Sequence, residues 1–246
     1  VENTTDALQN LAKAYKNQFQ IETIGITGSN GKTIVKEWLN FLLSPDFSVV
    51  RSPKSFNSQV GVPLSVFGIN ENHTLGIFEA GISLKGEMQK LAEIIQPKIG
   101  IFTHLGNAHQ EGFTTVEEKI IEKCQLFKNS EIVILEKNDW IEKHITTPTF
   151  TWSFEDPKAN VFVLSKVKNN LKTTLGIQFE NEIFKVLLPF TDDISIENAL
   201  TCVSTLLYLK TPISTIIERT SKLYNIEIRL QAKKGINNCL LIDDSF

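Results

Sequence analysis

The stretch Gly25-Ile26-Thr27-Gly28-Ser29-Asn30-Gly31-Lys32-Thr33 constrains the folding of this chain more than any other. Before it lies a short apolar run, Ile21 to Ile26, that reads as a buried strand. After it, Ile34, Val35, Trp38, Leu39, Leu42 and Leu43 recur at helical spacing. A strand, a glycine-rich turn and a helix in that order make a phosphate cradle. Glycines let backbone N–H groups turn inward around phosphate oxygens. Lys32 can reach the terminal phosphates, and the Thr33 hydroxyl can ligate Mg²⁺ at the helix N-terminus. The widespread form of this loop has glycine where this chain has Ile26, so the glycines at 25, 28 and 31 define a variant.

Further along, strands and helices alternate. A helix is expected over Asp6 to Phe19, and strands over Phe47 to Arg51, His73 to Glu79, Lys98 to Thr103 and Ile132 to Leu135. Helices are expected over Lys85 to Ile95 and Val116 to Phe127. This alternation predicts an α/β fold of P-loop type, a mostly parallel sheet with helices on both faces. From about Thr149 the texture changes. Thr149–Phe154, Val161–Val167, Thr173–Phe179 and Ile183–Leu188 read as consecutive strands of a small antiparallel subsheet, with turns at Asn169-Asn170 and Glu180-Asn181. Helices over Ile194 to Leu209 and Ile213 to Leu223 close the unit. Open α/β sheets bind ligands at the ends of their parallel strands, and Glu79 falls at such an end, suited to Mg²⁺ directly or through water. Position alone leaves a solvated strand-end acid equally open.

Composition narrows the function classes. A net charge of -3 gives no support for a nucleic-acid or membrane partner, and no apolar run approaches the roughly 20 residues of a membrane span. Cys124, Cys202 and Cys239 are too scattered for a disulfide framework or metal motif, so they read as small semi-buried hydrophobes in a reducing cytoplasm. The chain starts at Val1 and stops at Phe246, just after the strand-like run Cys239-Leu240-Leu241-Ile242. That suggests an excised piece of a longer protein. Residues 1–229 form its nucleotide domain. Residues 230–246 form a linker, Leu230 to Gly235, and the first strand of a truncated C-terminal domain.

The loop and several later motifs together resemble the Mur ligases, ATP-dependent amide-forming enzymes of bacterial peptidoglycan synthesis. Thr27 to Thr33 is similar to the family's TGxxGKT loop, Asn57 to Pro63 to its NxxxGxP segment, and Glu79-Ala80-Gly81 to its metal-binding Glu. Asn107 to Phe113 resembles the stretch that supplies a metal-binding His, here His109. Glu197-Asn198-Ala199-Leu200 resembles an adenine-contacting HNAL, with Glu197 in place of the usual His. Arg229 falls where the family has a phosphate-contacting Arg, and Asp243-Asp244-Ser245-Phe246 resembles the start of DDSYNANP. The texture is also similar to that of ligases fused to an alanine racemase.

The resemblance implies ATP and two Mg²⁺ ions as cofactors. Thr27, Gly28, Ser29, Asn30, Gly31, Lys32, Thr33, Asn198, Arg229 and Asp243 would contact the nucleotide. Thr33, Glu79, His109 and Lys123 would serve as metal ligands, and Lys32, Lys123, His109 and Arg229 would act in the reaction. Lys123 follows His109 by the family's interval to a lysine that reacts with CO2, giving a carbamate ligand for the second metal. On its own spacing, in the charged run Glu117 to Lys123, it reads as a solvated surface lysine. Within the family the pattern is most like the members that join D-alanyl-D-alanine to UDP-N-acetylmuramoyl-tripeptide through an acyl phosphate. A folylpolyglutamate-type or other Mur-type ligase, and a P-loop nucleotide switch, are the alternatives. The piece alone is expected to bind nucleotide without turning over.

Overall fold

The computed structural model describes residues 1–105, 112–226, 231–236 and 239–243. Helix α1 (Thr4–Lys16) leads into the central strand β1 (Glu22–Thr27), followed by α2 (Lys32–Leu43), β2 (Val49–Arg51), α3 (Gly61–Val66) and β3 (Leu75–Glu79). Then come α4 (Glu87–Ile95), β4 (Ile99–Phe102), α5 (Val116–Cys124), β5 (Ile132–Glu136) and the short α6 (Asp139–Glu142). Strands β6 (Thr149–Ser153), β7 (Val161–Lys168), β8 (Thr173–Phe179) and β9 (Glu182–Leu188) precede α7 (Asp193–Tyr208) and α8 (Ile213–Thr220). Strands β10 (Gln231–Lys234) and β11 (Leu240–Asp243) pair antiparallel as a separate two-stranded ribbon.

The main sheet has nine strands in the order β2-β3-β1-β4-β5-β6-β7-β8-β9. β1 pairs in parallel with β3 on one side and β4 on the other. The chain therefore winds away from β1 in both directions, and the crevice at this switch point lies where the loop after β1 emerges. Side chains alternate across the strands, so each face of the sheet buries its own set. Ile24, Ile26, Ile77, Ile101 and Ile134 pack with Val35, Leu39 and Leu42 of α2 and with Leu200, Val203 and Leu206 of α7. Phe78, Phe102, Val133 and Leu135 pack with α1, α3, α4 and α5 through Ala12, Val62, Leu91 and Ile120. Each such fully buried aliphatic side chain contributes about 1.5–3 kcal/mol. Among the described residues no helix is long and apolar enough to cross a membrane.

Three expectations change. The strands after Thr149 were expected to form an antiparallel subsheet, but β6 pairs in parallel with β5 and again with β7. Only β7, β8 and β9 run antiparallel, and they extend the same sheet. For β5 and β6 the reason is the connection: α6 with its flanking turns gives the chain enough length to cross back, which a tight hairpin could not do. β6 and β7 meet only at two positions, Trp152 with Val161 and Ser153 with Phe162. The stretch expected as a linker contains β10, whose ladder with β11 satisfies its backbone. Of the cysteines, Cys124 and Cys202 are buried, whereas Cys239 is exposed.

Candidate active site

The loop leaves β1 with Gly28 at φ 146° and reaches α2 through Gly31 at φ 85°, both in the region that favours glycine. Space makes the same demand. A Cβ on Gly28 would lie 2.0 Å from Thr103 Oγ1, and one on Gly31 would lie 2.2 Å from Asn198 Oδ1. Thr103, just after β4, closes the turn by donating to the Asn30 carbonyl at 2.5 Å, and the Ser29 N–H donates to the His104 carbonyl at 3.0 Å. Thr27 is fully buried and its hydroxyl donates to the Ala80 carbonyl at 2.9 Å, so this side chain ties the ends of β1 and β3 together. The Ser29 hydroxyl is buried with no hydrogen-bond partner, as is the Asn198 amide nitrogen at the far side of Gly31. Orphaned polar atoms at a backbone cradle suit a polyanion that brings acceptors with it.

Beside β3, Glu79 is wholly buried, which overturns the solvated strand-end alternative. Its Oε2 accepts from the Thr33 hydroxyl at 3.0 Å and from the Asn57 amide at 3.5 Å, and its backbone N–H donates to Ser52 Oγ at 3.2 Å. Thr33 Oγ1 also lies 3.2 Å from Ser55 Oγ. A hydroxyl and a carboxylate oxygen side by side at the start of α2 are hard oxygen donors of the kind Mg²⁺ accepts, with phosphates and water supplying the rest. Among the described residues no three His, Cys, Asp or Glu side chains converge.

Beside β4, Lys123 of α5 is 3% exposed, so the surface reading from its charged surroundings is wrong. α5 turns its apolar side, with Ile120 and Cys124, onto the sheet, and Lys123 goes inward with them. Its ammonium donates to the Gly28 carbonyl at 3.0 Å, and the Lys32 ammonium donates to the same carbonyl at 2.9 Å and to the Ser29 carbonyl at 3.3 Å. Burial, then the charges of Lys32 and Lys119, lower the Lys123 pKa to about 7. These cations line a hollow of about 380 Å³ together with Asn57, Gly81 and Lys119.

On the other side of the loop a pocket of about 190 Å³ is lined by His104, Glu136, Trp152, Glu197 and Asn198. His104 Nδ1 stands 3.5 Å from Glu197 Oε2. Burial, followed by the charge of Glu197, pushes the Glu136 carboxyl above the usual range. The structure thus gathers Gly28 to Thr33, Glu79, Lys123 and Asn198 around one loop, while Asp243 ends β11. His109 and Arg229 lie outside the described residues.

Sequence reasoning missed Lys36 and gave His104 no role. Lys36 is fully buried and its ammonium is 3.0 Å from Glu79 Oε1. Its signal was there in the spacing: it follows Thr33 by three positions, on the helix face that carries the loop's functional hydroxyl. His104 was visible only as the residue after a strand end.

A parallel sheet that gathers cations, a hydroxyl and an acid around a glycine turn at its switch point is a phosphate-loop nucleotide-binding domain. Sequence comparison gives the family. The Mur ligase middle domain matches residues 26–206, most of the chain, and the chain belongs to the Mur ligase family. It is similar to the UDP-N-acetylmuramoyl-tripeptide–D-alanyl-D-alanine ligase of Treponema pallidum, with 41% identity over 128 residues, 52% of this chain and 28% of that protein. It is similar along its whole length to the ligase of the same name from Buchnera aphidicola subsp. Baizongia pistaciae, at 25% identity and 55% of that protein's length. The chain thus spans at most about half of these curated relatives. Among solved structures, MurF from Acinetobacter baumannii superposes with a TM-score of 0.86 at 22% identity, covering 100% of this chain and 55% of that one. MurF from Thermotoga maritima in complex with ADP gives 0.83 at 23% identity, covering 100% and 58%. At these identities the structural likeness speaks for the fold.

Proposed function

We propose that this chain is the ATP-handling middle portion of a ligase that joins D-alanyl-D-alanine to UDP-N-acetylmuramoyl-tripeptide in peptidoglycan synthesis. The observation that carries this reading is the meeting of Lys32, Thr33, Glu79 and buried Lys123 around one glycine turn: a nucleotide switch would share the first three, but it would not need Lys123. The names of the relatives supply the substrates, and the ADP held by the Thermotoga maritima protein supports the nucleotide.

The tripeptide carboxylate attacks the γ-phosphorus of ATP, the bond to the ADP oxygen breaks, and an acyl phosphate results. The amine of D-alanyl-D-alanine then attacks the acyl carbon, phosphate leaves with the bonding pair, and the amine gives up a proton. Phosphoryl transfer of this kind depends on positioning and charge neutralisation. Gly28 to Gly31 hold the phosphates by backbone N–H groups, and Lys32, released from the Gly28 carbonyl, neutralises the terminal phosphate. Thr33 and Glu79 would hold one Mg²⁺, which would supply charge neutralisation on the phosphate oxygens. Lys123, with a pKa near 7, keeps a share of neutral amine at physiological pH. That amine forms an N–C bond to CO2 and loses a proton, and the resulting carbamate with His109 would hold a second Mg²⁺. The pocket at Asn198 takes the base, and Arg229 and Asp243 complete the nucleotide contacts.

In this reading residues 1–229 are the nucleotide domain and 230–246 begin the next one, the reaction runs in the cytoplasm, and the chain by itself binds ATP without turning over. Calorimetry tests it directly. Lys32→Ala should weaken Mg²⁺-ATP binding by about 100-fold, the equivalent of one hydrogen bond to a charged group. Unchanged affinity would sink the assignment of the loop.

A further inference from the structure

Lys36 lies one turn of α2 beyond Thr33, and its side chain is 0% exposed. Its ammonium donates to the Ser52 carbonyl at 2.8 Å and to the Lys54 carbonyl, and it stands 3.0 Å from Glu79 Oε1 and 3.0 Å from Glu37 Oε1. Glu37 in turn accepts from Arg51 Nε at 2.9 Å. A buried ion pair of this kind is weak evidence for stability, because desolvation offsets most of the attraction. Its geometry suggests a different purpose.

The two oxygens of Glu79 are treated unequally. Oε1 accepts no hydrogen bond and has the ammonium as its neighbour, whereas Oε2 accepts from Thr33 and Asn57 on the side of the loop. The ammonium's own hydrogen bonds go to carbonyls 52 and 54, so it holds Oε1 by charge rather than by a hydrogen bond. Those carbonyls belong to the segment that carries Ser55, next to Thr33, and Asn57, next to Glu79. One ammonium therefore fixes both the carboxylate and the chain opposite it.

We propose that Lys36 is a positioning residue that pins Glu79 through Oε1, so that Oε2 alone is presented beside Thr33 as a single-oxygen ligand for the divalent cation of a bound nucleoside triphosphate. The inference rests on the reading of Glu79 as a cation ligand. An outer group that orients a ligand in this way typically changes metal affinity when lost, with little effect on contacts that need no metal.

The test compares ATP binding with Mg²⁺ and with EDTA, by calorimetry, alongside thermal melting. Lys36→Met keeps the length of the side chain and removes the charge. Lys36→Gln also keeps an amide donor for one of the two carbonyls. Both variants should lose about tenfold in affinity with Mg²⁺ and change little in EDTA, in line with an outer-shell partner. Glu79→Gln should lose as much, and the Lys36→Met/Glu79→Gln double variant no more than either alone, because the two act as one unit. The proposal is overturned by variants that keep the wild-type gain from Mg²⁺, by equal losses in both media, or by losses that multiply in the double variant. A chain that folds with neither substitution assigns Lys36 to stability alone and overturns it too. If wild-type protein gains nothing from Mg²⁺, the reading of Glu79 fails first and the inference falls with it.

Discussion

Beside β3 the buried carboxylate of Glu79 stands 3.0 Å from the buried ammonium of Lys36. Beside β4 the equally buried ammonium of Lys123 meets a backbone carbonyl and, among the described residues, no carboxylate. The first flank is balanced before any ligand arrives, and its acid is held in one orientation. On the second flank Lys123 and Lys32 share the Gly28 carbonyl, and their mutual repulsion adds to desolvation in lowering the Lys123 pKa to about 7. A preset anion on one side and a group that can lose its charge on the other are complementary needs. The fixed acid can wait for a cation, while the lysine gains by becoming neutral or by acquiring negative charge.

The sharpest way to break this contrast is to remove the second flank. In the full-length enzyme Lys123→Ala should cut activity by about 100-fold or more, the effect of losing a metal-holding group, and short-chain carboxylic acids should restore part of it. Wild-type turnover in the variant would refute the carbamate. The same flank should respond to pH. The neutral amine is the reactive form, so incorporation of ¹³C-labelled CO2 at Lys123, followed by NMR, should be strong above pH about 7 and fall as pH drops through that value. A flat profile would mean that Lys123 is no carbamate site.

Next in size is the turn between the flanks. Gly28→Ala places a Cβ 2.0 Å from Thr103 Oγ1 at φ 146°, and thermal melting should show a loss of about 1–3 kcal/mol. A variant as stable as wild type would mean that the turn can relax away from Thr103. The smallest effect belongs to the pocket at Asn198. His104 is only half-buried, so its pairing with Glu197 is partly screened. Glu197→His should therefore change ATP affinity by no more than about threefold, within one weak surface pair. A larger change would give Glu197 a direct part in holding the base.

Much of this was legible along the chain. Helix α2, strand β1 and the loop between them follow from Ile24, Ile26, Val35 and Leu39 and from glycines where the backbone needs positive φ. These are local properties, set by neighbours within a turn or a strand. The direction of β6 was not legible. Alternating residues specify a strand and its faces, but not whether its partner runs parallel or antiparallel. Burial of single charges was equally hidden. Lys123 has the same charged neighbours that a surface lysine would have, and only the packing of α5 against the sheet turns it inward.

By itself, then, the sequence determined that the chain carries a phosphate loop between a strand and a helix in an α/β frame, and its ordered motifs pointed to an ATP-using ligase. Tertiary structure alone decided which charges meet: Lys36 with Glu79 across α2 and β3, and Lys123 with Lys32 at one carbonyl. The reason is physical. A helix or a turn is specified by residues close in sequence, whereas the protonation and orientation of a buried charge depend on groups brought from distant strands and on the water they exclude.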